Sequence, residues 1–247
     1  MRVTAVKTRI VEAGSIDITE LLVESLKGVP ERSVIAITSK VVSLCEGNAL
    51  PVSDYNKDDL IEKEADLFIP RSDSKYSVYL TIKNNMLVPT AGIDESNTNG
   101  YYVLWPKDPQ ESANRCWEFV RKHFGIKHVG IIITDSTSNP MRLGVTGRSI
   151  ASCGFSPVTF KIGHTDLFGR PLRQTRINVA DALAASAVLV MGESDEQTPV
   201  ALIEDLPFAE FSDHVPTAEQ LAAWSVEMED DLYAHFLTRM DWKKKKD

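Results

Sequence analysis

Four polar stretches in this chain set hard oxygen donors close to cationic side chains or close backbone turns. Thr134-Asp135-Ser136 follows the β-branched apolar run 129–133, and Arg142 and Arg148 lie just downstream. Carboxylate and hydroxyl oxygens suit a hard divalent cation, while arginine holds anionic oxygens through paired hydrogen bonds. Thr38-Ser39-Lys40 follows the apolar residues 34–37, which places a mobile ammonium beside two hydroxyls, a combination suited to phosphate. Gly92 precedes Ile93-Asp94-Glu95-Ser96-Asn97, where a missing side chain lets a ligand approach the backbone and Asp94, Ser96 and Asn97 offer acceptors to a cation or a ribose. Glu193-Ser194-Asp195-Glu196 adds acids that would complete a carboxylate set with Asp94 and Asp135 if folding brings them together. Each stretch alone has a plainer reading: an Asx turn or cap at Asp94 and Asp135, and solvated surface groups at Lys40 and the 193–196 acids. Together they point to a metal bridging phosphates, a site that neutralises charge on a transferring phosphoryl group. His164 reads as a structural hydrogen-bonder and stays outside the catalytic set.

Such corners need strand ends to hold them. Residues 34–37 and 129–133 read as strands buried on both faces, the second stopping at Thr134, and residues 2–8 and 200–203 as further strands. Helical spacing places Ile18, Leu21, Leu22 and Leu26 on one face after a Ser15 cap, and Ala113, Trp117, Val120 and Phe124 on another. Residues 54–66 suggest a surface helix or excursion anchored by Leu60 and Ile61. Tyr76, Val78, Leu80 and Ile82 alternate into Asn84-Asn85 and return through residues 86–88, which predicts a hairpin. Residues 101–105 read as a strand closed by Pro106, and residues 179–191 as an alanine-rich helix ended by Gly192. Thr217 and Gln220 form a capping box for a last helix with the stripe Leu221, Trp224, Met228, Leu232 and Phe236, and the lysines at 243–246 read as a solvated tail. Strands alternating with helices predict an α/β fold.

A chain of 247 residues with 43% hydrophobic and 25% charged side chains can bury a large core. The net charge of -8 argues against nucleic-acid or anionic-membrane partners, so an anionic ligand needs a local basic patch. No apolar stretch is long enough to span a bilayer and no signal-peptide core follows Met1, so a cytoplasmic location is expected. Cys45, Cys116 and Cys153 lack close pairing and read as reduced and structural. No nucleotide-binding G-x-x-x-x-G-K-[ST] or G-x-G-x-x-G pattern occurs.

Seven ordered motifs carry a resemblance. They are Ile37-Thr38-Ser39-Lys40-Val41-Val42-Ser43 with Glu46-Gly47, Ala91-Gly92-Ile93-Asp94 with Ser96-Asn97, Ile133-Thr134-Asp135, Arg142-Leu143-Gly144, Thr165-Asp166-Leu167-Phe168-Gly169-Arg170-Pro171-Leu172, Val179-Ala180-Asp181 and Met191-Gly192-Glu193. In this order the chain, over about residues 3–203, resembles the gamma-glutamyl ligases of the deazaflavin coenzyme F420. The resemblance implies a two-lobed mixed α/β fold and a homodimer; the chain is read as one domain over 1–247, with the last helix giving a C-terminal helical segment over 205–247. It also implies magnesium or manganese, GTP or ATP as co-substrate, and room for potassium. A substrate carboxylate would be activated as an acyl phosphate and attacked by the amine of L-glutamate. By position, Asp94, Asp135, Ser136 and Glu193 match metal ligands. Ser39, Lys40, Asn97, the 192–199 loop with Gly192, Ser194, Glu196 and Pro199, and more loosely residues 9–11, match nucleotide contacts. Lys40 and Arg142 would neutralise charge during transfer, with Asp135 as the central carboxylate.

Two departures bear on the acceptor. Ser43-Leu44-Cys45-Glu46-Gly47 stands where the deazaflavin ligases commonly have Ser-Lys-Ala-Glu-Gly, and Ser136-Thr137-Ser138-Asn139-Pro140 lacks the usual Gly-Arg. These changes resemble a folate-associated branch of the family, so a folate acceptor is expected ahead of a deazaflavin one. A non-catalytic nucleotide- or folate-binding protein and a metal-dependent phosphohydrolase are the alternatives.

Overall fold

Val34, Ile35, Ala36 and Ile37, like Ile131, Ile132 and Ile133, are apolar at every position, and a strand of that kind is stable only with protein packed on both of its faces. The computed structural model describes residues 1–245 and places these two runs side by side at the centre of a five-stranded sheet. In chain order the elements are β1 (Arg2–Val6), α1 (Ile18–Ser25), β2 (Ser33–Thr38), α2 (Ser39–Cys45), β3 (Ala49–Pro51), α3 (Lys57–Glu64), β4 (Leu67–Ile69), β5 (Leu80–Lys83), β6 (Met86–Pro89), β7 (Tyr101–Val103), α4 (Pro109–Phe124), β8 (Val129–Ser138), β9 (Val145–Cys153), β10 (Val158–Phe160), β11 (Arg176–Asn178), α5 (Val179–Met191), β12 (Val200–Glu204), α6 (Ala218–Ala222), α7 (Ala234–Leu237) and β13 (Lys243–Lys244).

The main sheet has the order β1-β12-β2-β8-β9. Strand β12 runs antiparallel to both β1 and β2, while β2 and β8 are parallel. Strands β1, β2 and β8 therefore all point their carboxyl ends at one edge. Ile35, Ile37, Ile131 and Ile133 pack on one face with Leu21 and Leu22 of α1 and Trp117 and Val120 of α4. Val34, Ala36, Ile132 and Ile203 pack on the other with Ala180, Leu183, Ala184 and Ala187 of α5. The small α5 side chains let that helix lie close to the sheet. Each fully buried isoleucine contributes roughly 1.5–3 kcal/mol.

The helices start where short side chains accept the free backbone amides. Asp17, not the expected Ser15, caps α1 by accepting from the Thr19 amide at 2.8 Å. Asp108 accepts from the Glu111 amide at 2.9 Å, Pro109 opens α4, and Gly125 closes it in the left-handed conformation.

A second lobe is a four-stranded sheet in the order β13-β4-β5-β6, with α3 and the β3–β7 pair beside it. Its core joins Leu60, Ile61, Phe68, Tyr79, Ile93, Tyr102 and Leu104. The β5–β6 hairpin turns at Asn84 and Asn85, both with positive φ (49° and 60°), as the sequence predicts. The mixed α/β class holds, and among the described residues no helix is long and apolar enough to cross a membrane.

Four expectations are corrected. Strand β8 does not stop at Thr134; it bulges between Ile133 and Thr134 and continues to Ser138, paired with β9, so the Asp135 corner is strand and not loop. Strand β5 begins only at Leu80, and its inward side chains are Thr81 and Lys83 while Leu80 and Ile82 stay half-exposed. The single last helix is instead two short ones, α6 and α7, although the Thr217–Gln220 capping box forms. Glu227, Glu229, Asp230 and Asp231 lie between them, and such clustered like charge disfavours a continuous helix. Lys243 and Lys244 pair with β4 as a short strand and not a free tail, while their side chains stay exposed as expected, and Lys246 lies outside the described residues.

Candidate functional site

Ligands in α/β sheets collect beyond the carboxyl ends of parallel strands, where chain segments diverge and leave a crevice. At that edge of the main sheet lies a cavity of about 490 Å³, lined by residues 8–11 after β1, 38–41 at the β2–α2 junction, Asp94, Ser96 and Asn97, 134–136 of β8, and 191–199 between α5 and β12. Ser39, Lys40, Asp94, Asn97, Asp135, Ser136, Gly192, Glu193, Ser194, Glu196 and Pro199 thus meet in one place.

Hydrogen bonds tie these segments together. Thr38 donates its amide to the Pro199 carbonyl at 3.0 Å, and Thr8 and Gln197 exchange two bonds, amide to carbonyl at 3.2 Å and side-chain Nε2 to carbonyl at 2.7 Å. Asn97 Nδ2 reaches the Ser194 carbonyl at 2.6 Å. Gly192 has φ 83°, and a Cβ there would stand 2.2 Å from the Glu196 carboxyl carbon. Its bare backbone lets Glu196 fold back and accept from the Ser194 amide at 2.8 Å.

The charged groups form two linked sets. Lys40 Nζ sits 2.6 Å from Asp94 Oδ2 and also donates to the Ser96 carbonyl and hydroxyl at 2.9 and 3.1 Å. Burial pushes the Asp94 carboxyl up, but the hydrogen bond and charge of Lys40, with the amide and hydroxyl of Ser96, outweigh it and hold Asp94 below its usual value. Asp135 lies half-buried on the cavity floor, accepting from Trp105 Nε1 at 2.6 Å and Ser39 Oγ at 3.3 Å. Burial raises its carboxyl to about 6, helped by the negative charge of Asp94 and opposed by the bonds from Trp105, the Ser136 amide and Ser39. Ser136 Oγ donates to both carboxylate oxygens of Glu193 at 3.0 Å.

The donor chemistry fits a hard divalent cation. Asp94, Asp135, Glu193 and Ser136 are all oxygen donors on one cavity, and the Lys40 ammonium on Asp94 already marks a position that favours positive charge. Among the described residues no group of three His, Cys, Asp or Glu side chains is gathered closely enough to hold a metal ion by itself. A magnesium-type ion matches such an open set, since it takes one or two carboxylates and fills its remaining positions with phosphate oxygens and water.

Arg142 is not brought to the cavity. It is exposed in the turn between β8 and β9, beside Met141 and Leu143, which are 98% and 100% exposed. Arg148 stands opposite Asp135 in the β8–β9 ladder but donates to the Leu87 carbonyl at 2.9 Å, fastening the two lobes together. Arg170 and His164 are exposed on the arm between β10 and β11. Burial pushes the thiols of Cys45, Cys116 and Cys153 to about 12, and all are free, so none supplies a thiolate at neutral pH.

Trp105 is the site residue that sequence reasoning missed. It is 2% exposed and aims its one polar atom at Asp135. The available signal was that a buried tryptophan needs an acceptor for its N–H. Its neighbour is an unusual turn: Thr90, Ala91 and Gly92 all have left-handed φ (53°, 52° and 71°). The two residues with side chains cost about 1–2 kcal/mol each in that region. The inward Thr81 offsets part of this by accepting the Ala91 amide at 2.9 Å, which explains the polar inner side of β5.

A cavity of acids, a lysine and hydroxyls at the carboxyl edge of a mixed sheet restricts the chemistry without naming a lineage. Comparison with known proteins supplies it: residues 5–205 match the family model described as F420-0:Gamma-glutamyl ligase. The chain is 33% identical over 208 residues to the coenzyme F420:L-glutamate ligase of Methanopyrus kandleri, covering 77% of this chain and 81% of that protein. It is 32% identical over 213 residues to the protein of the same name from Methanothermobacter thermautotrophicus, covering 78% and 84%. The Methanocaldococcus jannaschii protein of that name is 40% identical over 128 residues, 51% of each chain. These names carry coenzyme F420 and not folate, so the expected folate-associated branch finds no support in them. The matched residues include every segment that lines the cavity, and the chain belongs to the F420-0:gamma-glutamyl ligase family.

Proposed function

We propose that this chain is a gamma-glutamyl ligase that joins the amine of L-glutamate to an acceptor carboxylate, with a nucleoside triphosphate as the activating co-substrate and a deazaflavin of the coenzyme F420 type as acceptor. The observation that supports it is the convergence of Lys40, Asp94, Asp135, Ser136 and Glu193 with the 192–199 loop on one cavity in a member of this family. The names of the relatives favour the deazaflavin over the folate expected from Leu44 and Asn139-Pro140.

Phosphoryl transfer to a carboxylate needs positioning and charge stabilisation more than a protein nucleophile. Asp94, Asp135 and Glu193, with Ser136, would hold magnesium or manganese, and the bound ion would supply screening of phosphate charge. Lys40, held by Asp94 and Ser96 without ligands, would exchange that ion pair for a phosphate oxygen when the nucleotide binds. Asn97 and the 192–199 loop hold each other through the Asn97–Ser194 bond and would position the nucleotide. Val41, Leu44, Val188 and Met191 add an apolar wall for a ring system, and closing ligands over it would exclude water that otherwise hydrolyses an acyl phosphate. The exposed tips Met141, Leu143, Leu167 and Phe168 support a homodimer that covers them.

The test is mass spectrometry of the purified protein with L-glutamate, Mg²⁺ or Mn²⁺, GTP or ATP, with and without K⁺, and a deazaflavin or a reduced folate as acceptor. A glutamyl increment on the deazaflavin alone upholds the proposal. An increment on the folate alone moves the acceptor to folate, and phosphate release that does not depend on glutamate replaces ligation with hydrolysis.

A further inference from the structure

We infer that Trp105 is a positioning residue that sets the spacing between the Asp94 corner and Asp135. The inference rests on the reading of these two carboxylates as partners in one ligand site, and it adds the part that holds them apart. Trp105 touches both. Its Nε1 donates to Asp135 Oδ2 at 2.6 Å, and the same edge of the indole lies against Gly92, where a Cβ would stand 2.0 Å from Nε1 and 2.4 Å from Cε2. Gly92 is two residues before Asp94 and belongs to the left-handed turn Thr90–Gly92.

The backbone that carries the indole and one face of the ring are held as well. Asn48 Nδ2 donates to the Trp105 carbonyl at 2.6 Å, and the Asn48 carbonyl accepts the Leu104 amide at 3.3 Å. Lys83 Nζ stands 5.6 Å from the ring centroid and is itself held by Glu64 at 2.7 Å. A ring that only filled space would have no reason to aim a donor at a carboxylate on the cavity floor. Phenylalanine would fill most of the same volume without that donor. The left-handed turn has the same logic: only a residue without a Cβ allows the backbone leading to Asp94 to press against the indole N–H edge. Trp105 thus acts through Asp135 and Asp94 and does not itself reach the ligands.

The test uses the full chain and Mn²⁺ alone as probe, with free Mn²⁺ followed by electron paramagnetic resonance. Five proteins are compared: wild type, Trp105→Phe, Gly92→Ala, the double variant of these two, and Asp135→Asn. Loss of an outer hydrogen bond to a metal-binding side chain weakens binding by roughly 10–100-fold. Trp105→Phe is expected to fall in that range, Gly92→Ala to match it by pushing the ring off Asp135, and the double variant to be no weaker than the worse single one. A ¹⁵N-indole spectrum gives the second readout: the Trp105 N–H signal, assigned by its loss in Trp105→Phe, should move in Asp135→Asn and in Gly92→Ala. If Gly92→Ala does not fold, Trp105→Phe and the Asp135→Asn spectrum decide alone. Wild-type Mn²⁺ affinity in Trp105→Phe overturns the inference, whatever its melting temperature. Absence of Mn²⁺ binding by wild type defeats the metal reading separately; the indole signal then judges Trp105, and a signal unmoved in Asp135→Asn overturns its role.

Discussion

Asp135→Asn should make the ligand-free protein more stable while abolishing turnover. The substitution keeps the shape of the side chain and leaves an oxygen to accept from Trp105, but it removes the charge. A carboxyl that titrates near 6 and not near 3.8 has lost roughly 3 kcal/mol of preference for its charged form. Because the folded value is raised, the stability linked to Asp135 is fully present at pH below the usual carboxylate value and is lost as pH rises through 6. Wild type therefore carries that cost at neutral pH and the variant does not. A neutral amide accepts a weaker hydrogen bond from Trp105, which removes part of the gain, so about 1–3 kcal/mol is the expected net. The assay is urea unfolding of both proteins in EDTA at several pH values between 4 and 8. Carboxylates held below their usual value and remote from Asp135, such as Asp17 and Glu31, lose their contribution as pH falls, but they are common to both proteins and cancel in the difference. A difference that is absent at pH 8, or that does not shrink towards pH 4, would refute the reasoning. Added Mg²⁺ should then stabilise wild type and not the variant.

Further outcomes follow from the same geometry. Lys40→Met should lower kcat/KM at least 100-fold and return the Asp94 carboxyl towards its usual range, so that the acid limb of stability attributable to Asp94 moves to higher pH; an unchanged rate would remove Lys40 from the site. Glu193→Gln should weaken Mn²⁺ binding at least as much as Trp105→Phe does, by more than about tenfold, with less effect on stability, since among the described residues only the Ser136 hydroxyl hydrogen-bonds its carboxylate. Arg142→Ala should change the rate less than twofold and stability by less than about 0.5 kcal/mol, because the side chain is exposed in the β8–β9 turn. The double change of Met141 and Leu143 to serine should shift light-scattering mass towards the monomer if these tips meet a second copy.

The main sheet was legible because its strands are buried on both sides: 34–37 and 129–133 carry apolar runs, α4 keeps clear periodicity, and α5 is an alanine-rich run stopped at Gly192. The cavity residues were legible as short oxygen-rich corners and as ordered family motifs, and folding brought all but Arg142 together. Three features were not. The second half of β8 is polar because it faces the cavity, so it reads as loop until its pairing with β9 is seen. In β5 the polar Thr81 and Lys83 turn inward to satisfy the Ala91 amide and Glu64, which inverts the apparent hydrophobic side. The role of Trp105 depends on an acceptor 30 positions away, and no local pattern encodes that.

The pairing of β12 between β1 and β2 also governs when the cavity first exists. Arg2 bonds Glu204 through both guanidinium nitrogens Nε and Nη2, at 3.1 and 2.8 Å, across 202 positions of sequence. A chain emerging from the ribosome can join β2 to β8 early, but the edge of β2 stays open until β12 arrives about 65 residues later, roughly 3 to 13 s at 5–20 residues per second. For that interval an apolar edge with free amides and carbonyls is exposed to other strands. Slow, non-local closure of this kind makes yield on synthesis, and not only stability once folded, a property of the central sheet.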